Sequence, residues 1–97
     1  MSEKHPFLII RYTKKADKFF ASHEDVRSSY EENIRGLANG TAQPDVRKIA
    51  GKHGLYYRMR IGDYRVVYTV IDGNIVVIDT LLAGPRGDIY KKMSGLN

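Results

Sequence analysis

At Leu55 the hydrophobic rhythm of this chain changes. Leu55, Tyr57, Met59 and Ile61 alternate with Tyr56, Arg58 and Arg60, the period of two that marks a half-buried strand. Upstream, Val26, Tyr30, Ile34 and Leu37 recur three or four residues apart, as on one face of a helix. A helical segment followed by strands implies an α+β protein, its antiparallel sheet burying one face against the helices. The 97 residues suit a single domain over 1–97. Leu, Ile, Val and Phe number 25, more than a disordered chain carries and enough for a thin core.

The elements follow from local signals. Phe7 to Tyr12 is β-branched and aromatic and reads as a first strand. Thr13 caps a short helix through Ser22, with Ala16, Phe19 and Phe20 on one side and Lys14, Lys15 and Lys18 outside. Ser22-His23-Glu24-Asp25 resembles a capping box that opens a second helix, closed by Asn39-Gly40. Helices so tightly joined form an antiparallel hairpin. Thr41 to Lys52, with Pro44 and Gly51, reads as a connection. The strand of Leu55 to Ile61 turns at Gly62-Asp63 into Tyr64 to Ile71, and Asp72-Gly73 turns that into Ile75 to Leu82. Gly84-Pro85 ends the sheet, and Asp88 to Met93 forms a last helical turn. The expected order is βααβββ, a two-helix hairpin on one face of a mainly antiparallel four-stranded sheet.

Charge is concentrated. From Arg47 to Arg65 stand Arg47, Lys48, Lys52, Arg58, Arg60 and Arg65 against one acid, Asp63. The rest of the chain holds equal numbers of acids and bases, so the whole excess of +5 lies in about a fifth of its length. Such a patch attracts polyanions, because Lys and Arg displace counterions condensed on phosphates. Arginine also binds phosphate bidentately. No apolar run approaches the ~20 residues of a membrane span, and the polar start Met1-Ser2-Glu3-Lys4-His5-Pro6 lacks a signal peptide's apolar stretch. With no cysteine there is no disulfide, thiolate or Cys-zinc chemistry, which fits a cytoplasmic protein. The acids are scattered without metal-ligand spacing, so neither metal nor cofactor is expected.

Strand faces decide where the cations point. Arg58 and Arg60 share a side, away from Tyr57, Met59 and Ile61, and unpaired guanidinium groups do not enter an apolar core. That sheet face is expected to be open. Arg65 joins it if Tyr64, Val66, Tyr68 and Val70 face the core. A three-residue hairpin loop ending at Gly73 sets Asp79 opposite Arg65, whereas a two-residue loop turns Asp79 toward the helices; the first is the expectation.

The stretch Leu55-Tyr56-Tyr57-Arg58-Met59-Arg60-Ile61-Gly62-Asp63-Tyr64-Arg65-Val66-Val67-Tyr68 resembles the central signature of the RelE/ParE toxin superfamily. Gly84-Pro85-Arg86-Gly87-Asp88-Ile89-Tyr90 is similar to its closing motif, an arginine followed a few residues later by a tyrosine. The resemblance implies a toxin held silent by a cognate antitoxin. In the RelE branch such a toxin enters the ribosomal A site and cleaves mRNA without metal, the ribose 2′-hydroxyl attacking the adjacent phosphate to leave a 2′,3′-cyclic end. In the ParE branch it poisons DNA gyrase. Arg65 matches the arginine that contacts the reacting phosphate, and Arg86 and Tyr90 match the closing pair. Arg58 and Arg60 stand where the founding RelE branch has lysines, one of them proposed as general base, and Pro85 stands where many members have histidine.

RNA cleavage by a 2′-oxygen needs a base, cations for the five-coordinate phosphate, and an acid for the departing 5′-oxygen. Arg58, Arg60, Arg65 and Arg86 supply cations, with Arg47, Lys48 and Lys52 as further phosphate contacts. Tyr90 is suited to stack on a base or donate a proton. Arginine does not release its proton near neutral pH, so Arg60 is no ordinary base. His53, in the loop before the arginine strand, is the titrating candidate; His5 and His23 read as surface residues near element ends. The expected activity is cleavage of ribosome-bound mRNA.

Overall fold

The computed structural model describes residues 8–51, 54–73 and 75–93, and only the backbone at Ala50, Gly51, Tyr90, Lys92 and Met93. In chain order the elements are β1 (Leu8–Tyr12), α1 (Lys14–Ala21), α2 (Glu24–Asn39), β2 (Val46–Gly51), β3 (Gly54–Ile61), β4 (Tyr64–Ile71), β5 (Val76–Pro85) and α3 (Arg86–Met93). They form one sheet in the order β1-β5-β4-β3-β2, with β1 parallel to β5 and the other pairs antiparallel. The α+β class and the helix–helix–sheet order hold, and the sheet has five strands rather than four. The additional strand, β2, lies in the segment expected to be a connection. As an edge strand, with Arg47 and Lys48 on opposite faces, it needs no apolar alternation, and its charges blunt the edge.

Thr13 caps α1 as expected, its hydroxyl accepting from Ala16 N–H at 3.2 Å. The capping box does not form. Ser22 ends α1, and His23 takes the N-cap position of α2 without a side-chain cap bond; its Nδ1 donates instead to the Phe19 carbonyl at 3.0 Å. Gly40 closes α2 at φ 75°, where the absence of a Cβ removes the steric cost.

The helices cover one sheet face. Ala16, Phe20, Val26, Tyr30 and Ile34 pack on Met59, Val66, Tyr68, Val76, Ile78 and Ala83. Tyr30 shares a 2.6 Å hydrogen bond with Thr80 inside this core. Arg27 lies 4.9 Å from the ring centre of Tyr12 and ion-pairs with Asp17 and Glu24, tying the two helices together at the rim.

The opposite face is not open throughout. A second cluster of Tyr56, Val67, Leu82 and Ile89 lies there, and Ile89 of α3 is fully buried. A bulge makes it possible. Val67 pairs with Leu82 but Tyr68 pairs with Thr80, so Leu81 is the extra residue and the side-chain phase of β5 shifts. Leu82 then faces α3, while Val76, Ile78 and Thr80 face the helix hairpin. The sheet continues through Pro85, and α3 starts at once, at Arg86. Among the described residues no helix is long and apolar enough to cross a membrane.

The core phenols make a pH prediction. Burial, then neighbouring Tyr57, pushes Tyr68 up to about 12. Burial also raises Tyr30, and burial followed by the hydrogen bond to Glu31 raises Tyr12. A folded-state value above the unfolded one reflects a neutral phenol that the fold favours. Nothing is lost below the unfolded pKa of about 10, and stability falls as pH rises from there toward the folded value. The urea midpoint followed by circular dichroism is expected to hold steady until pH ~10 and to fall between about 10 and 12. A level midpoint across that window would remove these tyrosines from the stability balance.

Candidate functional site

Strand register gathers the arginines. Arg47 lies opposite Arg58 across β2 and β3, and Arg60 opposite Arg65 across β3 and β4. Directly paired residues share a face, as do residues two apart, so all four arginines stand on the face away from the helix hairpin. Arg65 pairs with Gly84, and the first N–H of α3, that of Arg86, donates to the Asp63 carbonyl at 3.1 Å. The backbones of Arg60, Arg65 and Arg86 therefore lie close together at the end of the sheet where β3 turns into β4.

Their environments differ. Arg60 and Arg86 are exposed, and Arg58 is half-buried. Arg65 is expected on an open surface from the sequence, yet it is only 6% exposed. Its Nη1 donates to the carbonyls of Gly62 at 3.1 Å and Tyr64 at 3.0 Å, so it braces the Gly62-Asp63 turn from beneath. Gly62 holds φ 59° there. The expected pairing with Asp79 does not occur. Asp79 lies opposite Thr69, and its carboxylate takes two hydrogen bonds from Arg11 of β1, at 3.1 and 2.9 Å. Asp79 does stand on the arginine side of the sheet, as expected, but its partner differs. Ile71 pairs with Val77, so the loop between β4 and β5 is longer than a tight turn, and the bulge shifts the register once more. Together they carry the position opposite Arg65 from Asp79 to Gly84.

The other expected contacts divide. Lys48 pairs with Tyr57, which puts it on the helix-hairpin face and apart from the arginines. Lys52 and His53 lie outside the described residues. Gly54, next to His53, stands six positions along β3 from Arg60, about 20 Å at ~3.3 Å per residue. Tyr90 follows buried Ile89 on α3, about one turn after Arg86; its side chain lies outside the described set. Asp45, which the sequence does not single out, stands beside Arg60. Its carboxylate lies 4.0 Å from the Arg60 guanidinium, and its carbonyl accepts the Arg60 N–H at 2.9 Å. The one signal for it in the sequence is its place, just after Pro44 and just before β2. Among the described residues no three His, Asp or Glu side chains come together as metal ligands would. Chemically the arrangement can hold an anion: three elements bring arginines to one sheet end, two of them solvent-facing and one bonded to backbone carbonyls.

Known proteins share this fold. RelE in the crystal structure of the RelB–RelE antitoxin–toxin complex from Methanococcus jannaschii matches with a TM-score of 0.56 at 24% identity, over 84% of this chain and 96% of that one. The crystal structure of a mutant of YafQ from E. coli matches with a TM-score of 0.58 at 13% identity, with the same coverage of 84% and 96%. No curated relative matches the chain. The sequence model of one family, the ParE toxin of type II toxin–antitoxin systems (parDE), matches residues 9–84. That span takes in β1 through nearly all of β5, and the chain belongs to the ParE toxin family of type II toxin–antitoxin systems.

Proposed function

We propose that this toxin is a metal-independent endoribonuclease acting on ribosome-bound mRNA in the cytoplasm. The observation that carries the reading is the convergence of Arg60, Arg65 and Arg86 at one end of the sheet. A phosphodiester seated there meets two solvent-facing guanidinium groups, with the buried charge of Arg65 beneath them. Attack by the 2′-oxygen adds negative charge to the phosphorus centre, and preorganised cations stabilise that charge without reorganising. Arg58 and Arg47 extend the track along the same face for neighbouring phosphates. Tyr90, one turn after Arg86, is assigned to protonating the departing 5′-oxygen or stacking on a base. Asp45 is the described carboxylate that touches the cluster and is the candidate to take the 2′-proton. Silence in the cell is assigned to a cognate antitoxin, as RelE is paired with RelB in the archaeal complex.

Poisoning of DNA gyrase is the second reading, favoured by the family model itself. Purified protein added to translating ribosomes distinguishes the two. The expected result is truncated mRNA with 2′,3′-cyclic phosphate ends, and Arg86→Ala is expected to slow its formation about 10²–10³-fold with an unchanged unfolding midpoint. Intact mRNA together with trapped gyrase–DNA breaks would establish the second reading in place of the first.

A further inference from the structure

Between α1 and β5 lies a cavity that the proposed reaction does not use. It holds about 480 Å³ and is lined by Lys15, Lys18, Phe19, Ser22, His23, Leu82 and Ala83. The rings of Phe19 and His23 stack at 4.1 Å and 6°, and Tyr64 stands against both, at 5.5 and 5.2 Å between centroids. Because His23 Nδ1 donates to the Phe19 carbonyl, Nε2 of the neutral ring is left as an acceptor. Among the described residues the lining offers two ammonium groups, a hydroxyl and no carboxylate. The acids that border it in sequence, Asp17 and Glu24, are committed to Arg27.

We propose that this cavity is a nucleotide subsite, taking one unpaired RNA base against the stacked Phe19–His23 pair, which Tyr64 backs, and its phosphate on Lys15 and Lys18. Aromatic faces bind any unstacked base, and flanking cations hold the backbone. Position supports a link to the arginines. Tyr64 is followed by Arg65 and pairs with Pro85, which is followed by Arg86. A strand rounding this end of the sheet passes from the cavity to the arginine cluster. An added peptide strand fits less well. Beyond β1, Thr13 already takes the Thr80 carbonyl at 2.9 Å and the Leu81 carbonyl at 2.6 Å, and Pro85 has no N–H to offer.

The inference rests on RNA being the substrate class, but its test does not require cleavage. A fluorescein-labelled hexanucleotide RNA is titrated into the protein by anisotropy, with ring resonances followed by NMR. RNA is expected to shift the Phe19 and His23 signals. The double variant Lys15→Ala/Lys18→Ala, at exposed positions, is expected to bind about 10-fold more weakly and to lower the slope of log K against log salt by about 1.4. Phe19→Leu is expected to weaken binding about 10-fold at an unchanged salt slope. RNA binding that leaves these signals and variants unaffected would overturn the subsite while leaving the arginine reading intact. Preferential occupation by a polyglutamate peptide would also overturn it, in favour of a protein partner. Binding at the cavity without mRNA cleavage on ribosomes would keep the subsite and remove the nuclease.

Discussion

Replacing Arg65 by alanine is expected to cost the protein both its action and part of its stability. An exposed arginine would be nearly silent in an unfolding experiment. This one is buried, and its guanidinium satisfies the carbonyls of Gly62 and Tyr64. Leaving such acceptors without a charged donor costs roughly 1–3 kcal/mol, against a total stability of only about 5–15 kcal/mol. The Gly62-Asp63 turn also receives the first N–H of α3 through Asp63, so its loosening moves Arg86 as well. Cleavage is expected to fall at least ~10²-fold at temperatures where the variant remains folded. Arg65→Lys separates the effects, because an ammonium keeps the charge and can donate to backbone carbonyls but lacks the planar fork that binds a phosphate bidentately. It should recover stability in part and activity poorly. A wild-type urea midpoint for Arg65→Ala would show the carbonyl bonds to be inconsequential, and wild-type cleavage would move the reaction elsewhere.

Truncating Ile89 to alanine is expected to be the second large lesion, acting on the site from behind. Ile89 inserts fully buried among Tyr56, Val67 and Leu82 and attaches a helix that is otherwise mostly charged. Truncating a buried isoleucine costs about 2–5 kcal/mol when the surroundings cannot collapse. Here the helix can detach, so the loss should be local. Amides of α3 are expected to exchange near the unprotected rate while those of β3 and β4 keep their protection. Activity should fall with α3, which carries Arg86 and Tyr90. Unaltered protection in α3 would mean that the second cluster does not hold it.

Much of this architecture is readable from periodicity. The helix hairpin, the reversals at Gly62-Asp63 and after Ile71, and the shared side of Arg58 and Arg60 all follow from repeats of two and of three to four. What escapes has physical causes. Val46-Arg47-Lys48-Ile49 carries one apolar and one basic residue on each face, so an edge strand looks like a loop. The bulge at Leu81 shifts the phase of β5 without changing its composition. The second cluster joins Tyr56, Val67, Leu82 and Ile89, each unremarkable locally and meaningful only once that phase is known. Arg65 looks like its neighbours on β3, and only its burial against the Gly62 and Tyr64 carbonyls distinguishes it. Asp45 gives no chemical signal because its role depends on where β2 runs.

The parallel pairing of β1 with β5 sets an order of events during synthesis. Arg11 bonds Asp79 across 68 positions, and at ~5–20 residues per second the ribosome takes about 3–14 s to make the second partner after the first. Until then the hairpin helices have no complete sheet to cover, and such long-range closure is intrinsically slow. The fold is thus completed only late in synthesis, and a partly made chain lacks the finished sheet.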